Sequence, residues 1–199
     1  MKLYTVTIAR EYGSGGRLIG KQLADELGIA FYDRELISYA ASDIGLDEEF
    51  IKSIEQKKSS GFLYNLYSPF QWIPINEQVF LAQSNVIKNI AERESSVIIG
   101  RCADYVLENM RNCIRFFIYA PIEFRLSLVK DVYQEGESGR LEDYIRKQDK
   151  GRASYYNFFT QQKWGRAQNY HLCLNSSIGI QSSVRLLKKF VEEFNKEGV

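Results

Sequence analysis

The chain has few of the residues from which metal centres and disulfide frameworks are built. Its 199 residues include one histidine, His171, and three cysteines, Cys102, Cys113 and Cys173, which stand within or beside apolar runs. The cysteines do not have the paired spacing of a metal site, and an odd number of thiols fits a reduced protein of the cytoplasm. We therefore expect neither a zinc site nor a disulfide scaffold, and a relay of two histidines is excluded.

Strong net charge and long apolar runs are also absent from the sequence. The 26 Lys and Arg residues nearly balance the 25 Asp and Glu residues, which gives a formal net charge of +1 and predicts no general attraction to nucleic acid or to a membrane surface. No apolar run reaches the ~18 residues that a membrane-spanning helix needs. The motifs G-x-S-x-G and H-E-x-x-H do not occur either. We expect a cytoplasmic protein without nucleic-acid or membrane partners, and its oligomeric state stays open.

A glycine-rich stretch near the start of the sequence carries the strongest functional signal. Residues 3–8 form a short β-branched run that predicts a buried strand, and residues 17–27 have the apolar spacing of a helix that ends at Gly28. A strand, a glycine loop and a helix in this order predict a phosphate cradle, because crowded backbone N–H groups and the positive end of the helix dipole attract anions. The residues expected to bind phosphate are Gly13, Ser14, Gly15, Gly16, Arg17 and Leu18.

The loop departs from the full P-loop pattern, G-x-x-x-x-G-K-[ST]. Gly16 matches the second glycine, and Glu11 stands at the first. Arg17 replaces the lysine, and its charge is kept because arginine can pair with phosphate oxygens through two N–H groups. Leu18 replaces the Ser or Thr and cannot ligate magnesium. The metal ligands are therefore unassigned, with the Ser14 hydroxyl as a candidate.

Two other interpretations of the loop remain open. Gly13-x-Gly15, followed about 20 residues later by Asp33, also has the logic of a dinucleotide fingerprint, although Leu18 stands where a third glycine belongs. An ordinary glycine turn is the second alternative. The local pattern favours phosphate binding of the P-loop kind.

Apolar strands alternate with helices along the rest of the chain. Further strands are predicted over residues 29–32, 97–99, 114–119 and 172–174, and helices over residues 33–43, 47–57, 76–92, 104–109, 122–134 and 181–195. This order predicts an α/β fold in one domain, residues 1–199, with helices on both faces of a parallel sheet. The aromatic-rich residues 59–75 are expected to form a packed loop or a flap that faces a partner.

Ligands of such sheets bind beyond the carboxyl ends of the strands. Three polar groups fall there, namely the glycine loop, Asp33, and Gly100-Arg101 with Asp104 three residues on. We expect Arg101 to meet an anion opposite the glycine loop. Asp33 is interpreted as a helix cap, as a contact to substrate or magnesium, or as both. Asp104 is expected to hold Arg101 in place or to cap the next helix.

Residues 140–166 are rich in basic and aromatic side chains. Arg146, Lys150 and Arg152 lie near enough in helical spacing to present charge on neighbouring faces, with Asp149 to orient them. A solvated basic helix is one interpretation. The other is a lid that places cations over a transferring phosphoryl group, since that reaction depends mostly on positioning and charge neutralisation.

Four stretches carry a resemblance to a known family: residues 8–17 (IAREYGSGGR), 31–33 (FYD), 99–105 (IGRCADY) and 169–176 (NYHLCLNS). Together they resemble the bacterial cytidylate-kinase-like family, a branch related to the nucleoside monophosphate kinases. The resemblance implies a three-layer P-loop fold with a five-stranded parallel sheet, a helical substrate-binding region at about 34–92 and a helical lid at about 138–168. It also implies ATP and Mg²⁺ as cofactors and small-molecule nucleotides as partners.

The resemblance also implies roles for single residues. The ATP phosphates would be bound by residues 13–17, the substrate phosphate by Arg101, and Asp33 would begin the substrate-binding segment. Cys102 stands where the cytidylate kinases themselves have an aspartate, and Asp104, a loose substitute for it, is implied to bind substrate together with Asp33 and Arg101. The cations implied to act in catalysis are Arg17, Arg146, Lys150 and Arg152, of which Arg152 is the closest match.

The function expected from this resemblance is transfer of the ATP γ-phosphate to a nucleoside monophosphate, with CMP or dCMP as the first candidates. The residues that read cytosine in the parent enzymes have no clear counterpart in the sequence. One alternative is a nucleotide-binding regulatory relative without turnover, which Leu18 motivates. Another is a kinase of a different small metabolite in which Asp33 acts as a base. A dinucleotide-dependent oxidoreductase is the remaining alternative.

Overall fold

Five parallel strands form the centre of the structure, a computed structural model that describes residues 3–33, 75–133 and 141–196. The strands are β1 (Thr5–Arg10), β2 (Ala30–Tyr32), β3 (Ser96–Ile99), β4 (Cys113–Tyr119) and β5 (Leu172–Asn175). They lie in the order β2-β3-β1-β4-β5, and each neighbouring pair is parallel. The predicted α/β fold with a five-stranded parallel sheet is thereby confirmed.

Helices connect the strands and cover the sheet. The α-helices of the described residues are α1 (Gly16–Leu27), α2 (Ile75–Arg93), α3 (Ala103–Val106), α4 (Ile122–Leu128), α5 (Leu141–Thr160) and α6 (Ile180–Lys196). A π-helical turn, Val129–Tyr133, continues α4, and 3₁₀ turns at Ala167–Asn169 and Ser176–Ile178 flank β5. Within the described ranges, no helix has the length and apolar character needed to cross a membrane.

The sheet is buried on both faces, which explains its near-continuous apolar strands. On one face Val6 and Ile8 of β1 are fully buried with Leu23 of α1 and Leu187 of α6. On the opposite face Ile98 of β3 packs among residues of α2 and α3. Each such fully buried side chain contributes about 1.5–3 kcal/mol. This packed frame holds the loops at the carboxyl edge of the sheet in fixed positions.

Several element boundaries differ from the sequence prediction. The α3 helix, Ala103–Val106, is shorter than the predicted 104–109, and α4 ends at Leu128 instead of near residue 134. The π turn begins at Val129, which is fully buried and packs with Leu141 and Ile145 of α5. Such a contact between distant segments cannot be read from helical periodicity, and π turns occur frequently at functional sites.

Part of the predicted organisation lies outside the described residues. The predicted helices 33–43 and 47–57 and the aromatic segment 59–75 are outside them, apart from the end residues 33 and 75. Of the expected substrate-binding region, 34–92, the structure describes α2, and of the expected lid, 138–168, it describes residues 141–168. The assignment of these two regions to substrate binding and to a lid stays a prediction.

Candidate active site

The glycine loop connects β1 to α1 and is tightly packed. Gly13 and Gly15 have φ angles of 75° and 76°, in the left-handed region that favours glycine. A Cβ atom on Gly13 would lie 2.8 Å from Cγ2 of Val129, and one on Gly16 would lie 2.7 Å from Cβ of Arg10. Both distances are too short for carbon atoms. The glycines are therefore required by the backbone conformation and by the contacts of the loop.

The loop presents the N-terminus of α1 to a cleft of about 120 Å³. Gly15 is the N-cap, and no side chain in the described part of the chain caps this helix end. The first N–H groups of a helix have no partner within the helix, and they carry the positive end of its dipole. The cleft is lined by Arg10, Glu11, Tyr12, Gly13, Gly15, Gly16, Arg17 and Arg152. A helix N-terminus surrounded by three arginines is suited to bind an anion.

Ser14 supports the loop from behind. It is fully buried, and its hydroxyl donates a hydrogen bond to the Glu11 carbonyl at 2.9 Å. The Ser14 carbonyl in turn accepts a bond from the Ser176 hydroxyl at 2.6 Å. Neither Ser14 nor Leu18 lines the cleft. In this arrangement the Ser14 hydroxyl closes the loop, and its candidacy as a magnesium ligand stays a prediction.

Arg17 is joined to Asp33 at the carboxyl end of β2. Its Nε and Nη2 atoms both donate to Oδ2 of Asp33, at 2.9 and 2.6 Å. The Asp33 side chain is 7% exposed, whereas that of Arg17 is 54% exposed and reaches the cleft. Two residues that the sequence assigned to separate strand ends are thus in direct contact.

Arg125 holds the glycine loop against α5. The sequence did not predict a role for this residue. Its Nε donates to the Tyr12 carbonyl at 2.7 Å, its Nη1 to Oε2 of Glu11 at 3.2 Å, and its Nη2 to Oδ2 of Asp149. Asp149 also accepts a bond from the Tyr12 N–H at 2.7 Å. Asp149 therefore pairs with Arg125 and the loop backbone, a role the sequence did not indicate.

The position of Arg125 in α4 could have signalled this role. It lies three residues after Ile122 and four residues before Val129, so it falls on the apolar face of the helix. An arginine on that face requires buried acidic partners. Its side chain is 8% exposed. Burial also raises the pKa of Glu11 above its ordinary value, although the Ala120 N–H and Arg125 act in the opposite direction.

Of the three predicted lid cations, the structure brings only Arg152 to the cleft. Its Nη1 donates to the Arg10 carbonyl at 2.9 Å, and its guanidinium carbon lies 5.2 Å from the centre of the Tyr12 ring. Arg146 pairs instead with Glu142 on the exposed side of α5, and Lys150 is exposed. Positions 146 and 152 are about 120° apart around the helix, so their side chains leave α5 in different directions.

Arg101 lies in a turn that forces three successive residues into the left-handed region. Gly100, Arg101 and Cys102 have φ angles of 75°, 57° and 56°. Left-handed non-glycine residues cost about 1–2 kcal/mol each, and such strain concentrates at functional sites. The guanidinium of Arg101 lies 5.9 Å from the centre of the Tyr155 ring on α5. The turn thus directs Arg101 toward the helix that carries Arg152.

Asp104 is buried and contacts α5. It is 4% exposed, and its Oδ2 accepts a hydrogen bond from the Tyr156 hydroxyl at 2.8 Å. Burial raises the pKa of Asp104 to about 6, although the Tyr156 hydrogen bond and Arg115 oppose this shift. Cys102, and not Asp104, is the N-cap residue of α3. The backbone N–H groups of Asp104 and Tyr105 also lower the pKa of the Asp104 carboxylate, so this side chain interacts with the first turn of the helix.

The arrangement as a whole is a cation-rich anion site without a preformed metal cluster. Within the described ranges, no three His, Cys, Asp or Glu side chains are grouped closely enough to hold a metal ion. The free thiols Cys102 and Cys113 are buried and Cys173 is half-buried, and none of them lines the cleft. The three arginines that line the cleft can neutralise negative charge on a bound group.

Solved structures share this fold. An uncharacterized protein from Eubacterium ventriosum ATCC 27560 is similar over 95% of this chain and 98% of its own, with 26% identity and a TM-score of 0.73. A shikimate kinase from Bacteroides thetaiotaomicron has 17% identity, coverage of 96% and 99%, and a TM-score of 0.57. A gluconokinase from Sinorhizobium meliloti 1021 has 11% identity, coverage of 98% and 97%, and a TM-score of 0.60. For the two kinases, the low identity means that the likeness concerns the fold alone.

The family follows from the sequence match. No curated protein matches the chain. The model of the cytidylate kinase-like family matches residues 5–178, which include the glycine loop, Asp33, the Arg101 turn, α5 and β5. The protein therefore belongs to the cytidylate kinase-like family.

Proposed function

We propose that the protein transfers the γ-phosphate of ATP to a small-molecule acceptor, and that the acceptor is a nucleoside monophosphate, with CMP or dCMP as the first candidates. The observation that carries the proposal is the cleft at the N-terminus of α1, where an uncapped helix end meets Arg10, Arg17 and Arg152. Membership of a kinase-like family and the fold shared with kinases support the same reaction.

The donor phosphates would lie on the glycine loop. The backbone N–H groups at the start of α1 and the Arg17 guanidinium would hold the terminal phosphates of ATP. Arg152 would neutralise charge on the phosphoryl group in transit, because its guanidinium lies at the loop through the Arg10 carbonyl. Phosphoryl transfer needs positioning and charge stabilisation more than covalent chemistry, and arginines supply both.

Magnesium fits this site through a carboxylate and the nucleotide itself. Mg²⁺ is usually held by one or two carboxylates together with substrate phosphates, and it would neutralise charge on the bridging phosphate oxygens. Among the described residues the candidate ligand is Asp33, whose buried carboxylate is joined to the loop through Arg17. An oxygen donor of this kind matches the preference of magnesium.

The acceptor would approach from the side of Arg101. A phosphate acceptor is already nucleophilic, so Arg101 would need only to orient it and offset its charge, and no general base is required. A second candidate function is phosphorylation of a hydroxyl group, with Asp33 as the base, because a buried carboxylate lies beside the loop arginine. A nucleotide-binding relative without turnover is the third candidate, since Leu18 replaces the hydroxyl residue that holds magnesium in a full P-loop.

An acceptor panel tests the proposal. ATP, Mg²⁺ and the full chain are incubated with each nucleoside monophosphate and, separately, with hydroxylated acids and sugars that lack phosphate, and ADP release is recorded. We expect CMP or dCMP to raise ADP release above the rate with ATP alone. A response confined to the hydroxylated compounds supports the second candidate. ATP binding by calorimetry without any acceptor-dependent turnover supports the third and overturns the proposed transfer reaction.

A further inference from the structure

One hydrogen bond joins α3 to α5 beneath the candidate active site. The Tyr156 hydroxyl of α5 donates to Oδ2 of Asp104 in α3 at 2.8 Å. Both residues are buried, with 4% of Asp104 and 3% of Tyr156 exposed. We call these two residues the 104–156 pair. Neither Asp104 nor Tyr156 lines the cleft at the glycine loop.

Each end of the 104–156 pair leads to a cation of the proposed reaction. Tyr156 follows Arg152 by four residues, so the two side chains are one turn apart on the same helix. Asp104 follows Arg101 by three residues, directly after the left-handed turn. The hydrogen bond therefore links the helix that presents Arg152 to the segment that presents Arg101.

The surroundings of the pair are polar and include several charged groups. A cavity of about 120 Å³ lies beside it. The cavity is lined by Asp104, Tyr105, Glu108, Arg115, Tyr156, Gln162, Gln168 and Asn169. From β4, Arg115 and Cys113 face this region, and Tyr170 adjoins the pair from the segment before β5. Among the residues that line the cavity, Asp104 and Glu108 are acidic and Arg115 is basic.

A buried carboxylate is a poor source of stability. Removing a charge from water costs more than a hydrogen bond to a neutral hydroxyl returns, and apolar side chains of similar volume would pack at lower cost. What such a pair supplies is a fixed geometry, because the hydroxyl must point at the carboxylate oxygen. Because the pair links the segments that carry Arg101 and Arg152, a fixed geometry of the pair would also fix the relative positions of these two segments.

We infer that the 104–156 pair positions α5 so that Arg152 stays at the glycine loop, which makes Asp104 and Tyr156 positioning residues for phosphoryl transfer. The inference deepens the proposed function and rests on it. Asp104, which the sequence suggested as a substrate ligand, acts through Tyr156 and Arg152 instead of touching the acceptor.

The test compares two tyrosine-to-phenylalanine variants of the full chain. Tyr156→Phe removes the hydroxyl that bonds to Asp104, and Tyr170→Phe is the matched control. Tyr170 adjoins Tyr156 and is also buried, at 7% exposure, but among the described residues the hydroxyl that bonds to Asp104 is that of Tyr156 and not that of Tyr170. We expect Tyr156→Phe to lower kcat about tenfold with a smaller change in KM for ATP, because displacement of a catalytic cation acts on the transition state. We expect Tyr170→Phe to change kcat less than twofold.

The same comparison in an Arg152→Lys background separates positioning from general loss of structure. If Tyr156 acts through Arg152, the two substitutions are not additive, and Tyr156→Phe lowers kcat less than about threefold in that background. An equal loss of kcat in both backgrounds overturns the inference. It is also overturned if the wild-type protein is active and Tyr156→Phe does not lower its kcat.

Hydrogen exchange of α5 provides a readout that does not depend on activity. We expect the amides of α5 around residues 149–156 to exchange faster in Tyr156→Phe than in Tyr170→Phe, because the helix has lost its link to α3. Equal exchange in the two variants overturns the pair as a positioning device. If the wild-type protein transfers phosphate to no acceptor, the proposed function is overturned. The hydrogen-exchange measurement then still decides whether the 104–156 pair holds α5 in place.

Discussion

Arg17 contacts Asp33 through two nitrogen atoms on a single carboxylate oxygen, at distances of 2.9 and 2.6 Å. This contact fixes the arginine that replaces the usual P-loop lysine to the end of β2. An arginine has five N–H donors in a rigid fork, so a contact with Asp33 is compatible with a contact to phosphate. The carboxylate thus orients the guanidinium beside the glycine loop.

The first prediction concerns this contact. Arg17→Ala should weaken ATP binding by about tenfold, which corresponds to one charge-assisted hydrogen bond to an ionised group. Asp33→Asn should weaken it by about threefold, because Arg17 is kept but is less well oriented. Calorimetric titration with ATP measures both. Tighter ATP binding by Asp33→Asn would show that the carboxylate competes with phosphate for Arg17 and would contradict this account.

The second prediction concerns Arg152. Arg152→Ala should lower the rate of phosphoryl transfer by about a hundredfold, since removal of one group that stabilises transition-state charge costs on this scale. The matched control is Arg185→Ala, because Arg185 is an exposed arginine of α6 that contacts Ser182 and does not line the cleft. Steady-state kinetics with the best acceptor measures both variants. Similar rates for the two variants would remove Arg152 from the mechanism.

The third prediction concerns stability and Arg125. Arg125→Met keeps a long side chain but leaves the partly buried carboxylates of Glu11 and Asp149 without their cation. Removal of one member of a buried ion pair typically lowers the free energy of unfolding by about 3–5 kcal/mol. Urea denaturation should show a loss of this size, whereas Arg185→Ala should remain within about 0.5 kcal/mol of the wild type. A loss below 1 kcal/mol would mean that the loop does not depend on Arg125.

The fourth prediction concerns pH and Asp104. Burial raises the pKa of Asp104 from 3.8 to about 6, so the folded protein binds a proton that the unfolded chain releases at a lower pH. The stabilisation that the protonated Asp104 carboxyl contributes is fully present below pH 4, and it is lost as the pH rises through 6. The loss by pH 7 is about 3 kcal/mol, from roughly two pKa units at 1.36 kcal/mol each.

Asp104→Asn removes this titration. The free energy of unfolding of the variant, taken relative to the wild type, should therefore rise by about 3 kcal/mol between pH 4 and pH 7. Denaturant titrations of both proteins at several pH values measure the difference. A difference that stays constant across this range would show that Asp104 titrates near its ordinary pKa.

The sheet and the location of the site could be predicted from the sequence. Apolar runs such as 97–99 are too short and too hydrophobic for anything but a buried strand, and the carboxyl ends of parallel strands share one edge. This rule placed the glycine loop, Asp33 and Arg101 at one side of the sheet. It could not show which of them touch, because contact depends on side-chain direction and on the twist between strands.

Two features of the site depend on tertiary packing. The position of Arg125 on the apolar face of α4 indicates burial, but it does not show that the partners are Glu11 and Asp149. Charge and spacing place Arg146 and Arg152 in one group, but the angle between them on α5 directs one to solvent and the other to the loop. In both cases the deciding quantity is the rotation of a helix about its axis relative to the sheet.

The hydrogen bond from Ser176 to the Ser14 carbonyl joins parts of the chain that are 162 residues apart. Ser176 follows β5, which pairs with β4 at the edge of the sheet. During synthesis the glycine loop therefore leaves the ribosome long before the residue that supports it from behind. The support that Ser176 gives to the glycine loop is therefore complete only when β5 has joined the sheet. An anion that binds at this loop would then stabilise the complete fold, and it could not act as a template for the first half of folding.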